Sequence, residues 1–245
     1  MSKINSKSII ITFSVFSAVV TTFLGCRMSA PSEENRFLAA YDKNNLLRVR
    51  KMNYFSESAF SANPERNEYY DGYLGLHLLS MKGESLYNKR TSKDTILCRF
   101  LVLPTFDYPI VFSIEINQKE KVGNMYVKRT DGAMGYPGES IIFNKQLRLT
   151  SSEINWFLDN IALLNKNLVN KDDQRGFVDG TMWNMEIVKN GRYSIQFGEF
   201  PDKGDISIIG RKIMQIAKSK LSINSKVFDY MLEPEDMDSP QIGTR

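Results

Sequence analysis

Glu186 is the side chain best placed for chemistry in this 245-residue chain. A carboxylate can act as a general acid or base when a second carboxylate lies in the same cleft, and Asp179 and Asp131 are the candidate partners. A cation beside Glu186, either Arg99 or Lys128, would instead make an ion pair across neighbouring strands. We favour this ion pair, or a solvated strand face, because neither needs a converging cleft; exposed pairs of this kind contribute only about 0–1 kcal/mol.

Two aromatic residues accompany Glu186 in the same segment, Trp183 and Tyr193. We interpret both as core or cross-strand packing residues, with a carbohydrate-stacking platform as the alternative. If the chain binds a small ligand through this segment, the predicted contacts are Asp179, Trp183, Glu186, Tyr193 and Arg99.

The chain offers few residues for thiol or imidazole chemistry, because it has only two cysteines and one histidine. Cys98 lies in an apolar run and is interpreted as a buried hydrophobic residue. His77 also lies in an apolar run, and a catalytic Cys98–His77 pair would require the two side chains to meet. One histidine and one spare cysteine argue against a zinc site, and we predict no metal and no other cofactor.

The first 25 residues have the layout of a secretory signal. Lys3 and Lys7 precede an apolar run over residues 9–24, which is short for a spanning helix of about 20 residues. The run ends in Phe-Leu-Gly-Cys, and this ending resembles a bacterial lipobox. The resemblance implies cleavage before Cys26 and acylation of its thiol and amine. An ordinary signal peptide or an uncleaved anchor helix is the alternative interpretation.

A lipid on Cys26 would hold the folded part at a membrane surface without spanning the membrane. We therefore predict a signal peptide over residues 1–25, a tether over 26–36, a folded domain over 37–222 and an acidic, poorly ordered tail over 223–245. The predicted location is the cell membrane, facing the periplasm or the exterior, with the outer membrane favoured in a bacterium that has two. The predicted partners are the membrane, through the lipid, and an envelope protein.

Charge and composition are consistent with this layout. The whole chain carries a net charge of +4, and the loss of Lys3 and Lys7 with the leader would leave +2. So small a surplus does not indicate a nucleic-acid partner. Hydrophobic residues make up 42% of the chain, which is enough for the part beyond the leader to build a core.

A β-hairpin over residues 182–200 must position the chemistry-bearing side chains. Asn190-Gly191 stands between two partly alternating runs, and this pair is the strongest short-range indication of a two-residue hairpin turn. We predict that one face of the sheet carries Trp183, Met185 and Ile187, packed across from Tyr193, Ile195 and Phe197.

Periodicity and turn residues indicate the other elements. Strands are predicted over residues 95–103, 110–117, 125–130 and 140–149, and helices over 68–81, from about 150, and over 207–221. Glu153 is placed to complete a capping box with Thr150. The predicted fold class is α+β: a single domain with a mainly antiparallel sheet of about six strands and helices packed on one face.

Several of these segments also occur together in a family of bacterial proteins of unknown function. The run 99–110, the glycine-rich loop 131–138 and the motif Asp-Gly-x-x-Trp-x-x-Glu…Gly-x-Tyr that begins at Asp179 stand in the family's order. Over about residues 96–221 the chain resembles this family, many of whose members carry lipoprotein signals, although Pro104 stands where the family tends to have arginine. The resemblance implies a fold and a compartment and carries no activity.

Two functions are consistent with these residues. The first is a membrane-anchored binding or interaction protein of the cell envelope. The second is an envelope hydrolase that uses Glu186 with Asp179 or Asp131. We rank binding first because the lipobox-like ending is accompanied by none of the common hydrolase motifs, such as Gly-x-Ser-x-Gly or His-Glu-x-x-His.

Overall fold

The structure is a computed structural model that describes residues 43–57, 59–60, 63–105, 107–133, 136–161, 164, 181–199 and 205–221. The elements follow the chain in the order α1 (Lys43–Met52), α2 (Pro64–Ser80), β1 (Thr95–Pro104), β2 (Ile110–Asn117), β3 (Val122–Thr130), β4 (Ile141–Arg148), α3 (Ser151–Asn160), β5 (Thr181–Lys189), β6 (Arg192–Glu199) and α4 (Asp205–Leu221). The described elements all belong to one compact unit, Tyr41–Arg245. The predicted leader, tether and acidic tail lie outside the described residues.

The six strands form one sheet in the spatial order β4-β3-β2-β1-β5-β6, and every neighbouring pair is antiparallel. β1 to β4 make a meander, after which β5 returns to pair with β1, so β1 and β5 are interior strands. The predicted α+β class, with a single domain and a mainly antiparallel sheet of about six strands, is confirmed.

The hairpin between β5 and β6 turns at Asn190-Gly191, as predicted. Both residues have positive φ, 54° and 70°, which a type I′ turn requires and which glycine adopts without strain. The turn closes on the pair Lys189–Arg192. A two-residue turn closed in this way places each odd-numbered residue of β5 opposite an even-numbered residue of β6.

This parity makes the predicted cross-strand partners wrong. Trp183, Met185 and Ile187 stand opposite Gly198, Gln196 and Ser194, while Tyr193, Ile195 and Phe197 stand opposite Val188, Glu186 and Asn184. Since successive side chains alternate between the two faces of a sheet, the aromatic residues of β6 lie on the face that also carries Glu186.

One face of the sheet packs against α3 and α4 and forms the main hydrophobic core. Phe100, Phe112 and Trp183 are the large side chains at its centre, and the rings of Phe100 and Trp183 meet edge to face at 5.1 Å. α4 approaches closely at Gly210, where an added Cβ would lie 2.7 Å from atoms of both rings. The helix can therefore sit on the aromatic pair only because this position lacks a side chain.

The opposite face is covered by α2. Tyr70 of α2 contacts Phe197 of β6 at 4.7 Å between ring centroids. α1 in turn packs on α2, where a Cβ at Gly75 would fall 2.4 Å from Val49 Cγ1. The predicted placement of helices on one face is therefore wrong: the central strand β1 is buried on both faces, which is why its sequence is apolar almost throughout.

Polar caps fix where two of the helices begin. Asn63 accepts hydrogen bonds from the backbone N–H groups of Glu65 and Arg66, with Pro64 at the first helical position, so α2 starts four residues earlier than its periodicity predicts. The capping box of Thr150 and Glu153 at the start of α3 is confirmed. None of the helices in the described ranges is both long and apolar enough to cross a bilayer.

Candidate functional site

The register between β1 and β5 brings Arg99 and Glu186 together. Arg99 of β1 stands directly opposite Glu186 of β5, and both point to the face beneath α2. Arg99 Nε donates to Glu186 Oε2 at 2.5 Å, and the two side chains are 4% and 0% exposed. The cross-strand ion pair is thus confirmed, whereas a solvated face is excluded by this burial.

Tyr193 is the second hydrogen-bond donor to the Glu186 carboxylate. Its hydroxyl donates to Glu186 Oε1 at 2.9 Å, so each carboxylate oxygen accepts one bond from a different strand. Burial, together with the neighbouring carboxylate, raises the pKa of Tyr193 well above its ordinary value, so the phenol stays protonated and remains a donor. Tyr193 also meets Tyr87, which is exposed, edge to face at 5.3 Å.

The cations on this face also hold the segment that follows α2. Arg99 Nη1 donates to the carbonyl of Glu84, and Lys128 Nζ donates to the carbonyl of Met81 at 3.1 Å. The last carbonyls of a helix carry partial negative charge and lack intrahelical donors, so cations are favourable there. Lys128 therefore does not contact Glu186 in place of Arg99 but caps the end of α2.

Tyr54 closes the cluster from the loop after α1. Its ring lies 5.9 Å from the Arg99 guanidinium carbon, and its hydroxyl donates to the carbonyl of Gly83 at 2.9 Å. Burial raises the pKa of Tyr54, and the nearby positive charge of Arg99 opposes that shift. The buried guanidinium is thus surrounded by a carboxylate, an aromatic face and a carbonyl.

Several buried polar atoms have no hydrogen-bond partner in the described part of the chain, and three of them lie beside Glu186: Arg99 Nη2 and the amide nitrogen and oxygen of Asn184. Asn184 lies on the same face as Glu186, one alternation along β5, and is buried. An unsatisfied buried polar group costs about 1–3 kcal/mol, so these atoms are the least well accommodated polar groups of the cluster.

Of the two carboxylates predicted to act with Glu186, only Asp131 lies in the described part of the chain, and it is far from Glu186. Asp131 follows β3, which is separated from β5 by two strands, or about 14 Å at the usual strand spacing. The register sets Glu186 level with Tyr126, five residues before Asp131, which adds about 16 Å along the strand. Asp131 instead accepts a bond from Ser140 N and closes its own loop. Asp179 lies outside the described residues.

The remaining predicted contacts divide between the two faces. Trp183 is buried in the core between Phe100 and Gly210, on the face opposite Glu186, and offers no stacking platform. Its interpretation as a core residue is confirmed. Tyr193 and Arg99 meet Glu186, as described above. Cys26 lies outside the described residues, so its acylation stays a prediction.

Cys98 and His77 lie on opposite sides of the sheet and cannot form a catalytic pair. Cys98 belongs to the core beneath α3 and α4, whereas His77 lies in α2 and packs edge to face on Tyr73 at 5.0 Å. Burial raises the pKa of the Cys98 thiol to about 12, so the thiol stays protonated and is a poor nucleophile.

Sequence reasoning missed Tyr54, the carbonyls of Gly83 and Glu84, and Asn184 as members of this cluster. Tyr54 and the carbonyls of Gly83 and Glu84 lie in loops, where no periodic sequence pattern predicts a contact. Asn184 could have been found, because a carboxamide in a run of otherwise buried strand residues shares the parity of Glu186.

The described residues contain no group of three or more His, Cys, Asp or Glu side chains placed to hold a metal ion. Comparisons with protein families, with curated proteins and with solved structures return no match for this chain.

Proposed function

We propose that this chain is a lipid-anchored protein of the bacterial cell envelope, and that its domain binds another envelope component, most simply a protein. The observation that carries the proposal is the order of residues at the N-terminus: two lysines, an apolar run over 9–24, then Gly25-Cys26. The resemblance to a family whose members often carry lipoprotein signals supports the same compartment.

The geometry of the Arg99–Glu186–Tyr193 cluster supports binding over hydrolysis. A general acid or base must reach a substrate proton, and Glu186 is fully buried, with both oxygens already accepting hydrogen bonds. The cluster fixes β1, β5 and β6 and the end of α2 in place, which is the task of a rigid scaffold that displays a surface.

The spacing between anchor and fold supports a domain held near the bilayer. The first described helix begins at Lys43, and an extended chain from Cys26 would reach at most about 60 Å. A lipid at that position would therefore keep the domain within one or two domain diameters of the membrane.

Metabolic labelling tests the anchor. The full chain is expressed in a bacterium fed an alkyne fatty acid, beside a Cys26→Ala variant and, as the matched control, a Cys98→Ala variant. We expect label in the wild-type and Cys98→Ala chains and none in Cys26→Ala. Label that persists in Cys26→Ala, or that is absent from all three, overturns the anchor.

Cross-linking in intact cells tests the binding role. The tagged full chain, cross-linked before the membranes are dissolved in detergent, should carry the same envelope protein in independent preparations. Detergent-stable products containing only this chain and abundant unrelated membrane proteins would contradict a specific binding role.

A further inference from the structure

The first described helix carries a local excess of positive charge. α1 has the sequence Lys-Asn-Asn-Leu-Leu-Arg-Val-Arg-Lys-Met, with four cations and no anion in ten residues. The entire chain has a net charge of only +4. α1 is therefore a local basic element in a protein that is otherwise nearly balanced.

The contacts of α1 define its inner face. Val49 is buried against Gly75 of α2, and Arg50 pairs with Glu68 on the same neighbouring helix. At 3.6 residues per turn, Leu47, Arg48 and Lys51 fall on the side away from Val49. All three are exposed, and Leu47 is 52% exposed.

The outer face thus combines exposed cations with exposed apolar side chains. Met52, 37% exposed, lies at the other edge of the exposed arc, about 140° around the helix from Leu47. Around the helix, Arg48 and Lys51 lie between Leu47 and Met52, so the exposed arc carries two cations with an apolar side chain at each edge. At a bilayer interface, exposed apolar side chains of a helix enter the headgroup region and its cations meet lipid phosphates.

We propose that the outer face of α1, defined by Leu47, Arg48, Lys51 and Met52, rests on an anionic phospholipid surface. The proposal depends on the lipid anchor proposed above. Two observations select this occupant: the complementary charge of α1, and the short chain between Cys26 and Lys43, which makes α1 the described element nearest to the anchor along the sequence.

The anchor explains how so small a surface can suffice. A ten-residue helix with two apolar side chains would bind a bilayer weakly from solution. Once a lipid holds the chain at the bilayer, the second contact becomes intramolecular, and its effective concentration is set by the tether. The contact would orient the domain, so that α1 faces the membrane and the far side of the sheet faces away.

A fluorescent reporter on the full-length, naturally processed protein tests the contact. Leu47→Cys is labelled with an environment-sensitive dye; Cys98 is buried and Cys26 is blocked by its lipid if the anchor is correct. The matched control is Lys119→Cys in the exposed turn between β2 and β3. Each protein is reconstituted into vesicles of phosphatidylcholine, with or without phosphatidylglycerol.

We expect the dye at position 47 to shift to shorter wavelength when phosphatidylglycerol is present, and to be quenched by lipids that carry a quencher near the headgroups. The dye at position 119 should not respond. Adding Arg48→Glu and Lys51→Glu to the reporter, or raising the salt to about 1 M, should remove most of the shift, because the attraction is electrostatic.

A dye at position 47 that stays in water on anionic vesicles, or equal responses at positions 47 and 119, overturns the proposal. Flotation of the same samples separates this failure from failure of the anchor. Protein that floats with neutral vesicles, carries the acyl mass and shows no shift at position 47 contradicts only the α1 contact. Protein without the acyl mass contradicts the anchor itself.

Discussion

Glu186 carries a buried negative charge on the sheet face beneath α2. Its charge is taken out of water and offset by the guanidinium of Arg99 at 2.5 Å. A buried ion pair recovers its desolvation cost only when both partners are present. The cluster is therefore expected to tolerate joint replacement better than the loss of one member.

The variant Glu186→Gln should lower the free energy of unfolding by about 3–5 kcal/mol, because it leaves Arg99 charged and uncompensated in the interior. Glu115→Gln makes the same change at an exposed position of β2 and should cost less than about 0.5 kcal/mol. Urea unfolding monitored by circular dichroism measures both.

The joint replacement Arg99→Met with Glu186→Leu removes both charges and should be more stable than Glu186→Gln. A double variant as unstable as the single one would show that the side chains do not act as a pair. A Glu186→Gln protein of wild-type stability would contradict the buried ion pair.

Asp71 in α2 should make stability depend on pH. Burial raises its pKa from 3.8 to about 6, partly opposed by Arg50. Because the folded state holds the proton more tightly than the unfolded state, the stability this group contributes is present below about pH 4 and is lost as pH rises through 6.

The variant Asp71→Asn is always neutral and should therefore be more stable than wild type at pH 7.5 and similar to it near pH 4. Thermal unfolding at the two pH values measures the difference. Asp94→Asn, at an exposed position, is the control and should show no such trend. Identical pH profiles for wild type and Asp71→Asn would rule out this role for the carboxyl.

Among the elements, α4 depends on one glycine for its seat on the sheet. A methyl group at Gly210 would lie 2.7 Å from Phe100 Cζ and from Trp183 Cζ3, closer than packed carbon atoms can stand. Gly210→Ala should therefore destabilise the fold by about 1–3 kcal/mol, although alanine favours helix by about 1 kcal/mol.

Gln215→Ala, on the exposed side of α4, controls for the change in helix propensity and should be neutral or slightly stabilising. Denaturant midpoints of the two variants decide the matter. Equal midpoints would mean that α4 can move away from the aromatic pair at no cost.

Local chemistry predicted most of the elements, because each was specified by residues close together in sequence. The Asn190-Gly191 turn, the alternation of β2 and the Thr150–Glu153 capping box all lie where predicted. Each depends on a contact between residues a few positions apart, which a sequence displays directly.

The predictions that proved wrong concern which helices and which cross-strand side chains lie on each face of the sheet. The apolar composition of β1 suits a strand that is buried on both sides. It does not show that α2 covers the second face, because that depends on tertiary packing. The sequence predicts either a cross-strand ion pair of Arg99 with Glu186 or a solvated strand face. The pair is buried because α2 covers this face of the sheet. Tyr54 and the carbonyls after α2 belong to loops without a periodic pattern, so their contacts with Arg99 and Lys128 could not be predicted from the sequence.

At the scale of the whole molecule, the described domain is a six-stranded sheet enclosed by helices, and the proposed functions lie at its surface and at its N-terminus. The buried cluster gives rigidity, α1 presents cations outward, and the residues before it carry the proposed export and anchoring sequence. Location, orientation and binding all depend on the fate of Cys26.

Intact mass spectrometry of the full chain purified from bacterial membranes tests that dependence. The mass should correspond to a chain that begins at Cys26, with a diacylglyceryl group on its thiol and a fatty acyl group on its amine in a bacterium that completes the modification. A product that retains Met1, or that carries an unmodified Cys26 thiol, would contradict the proposed anchor and the membrane orientation inferred from it.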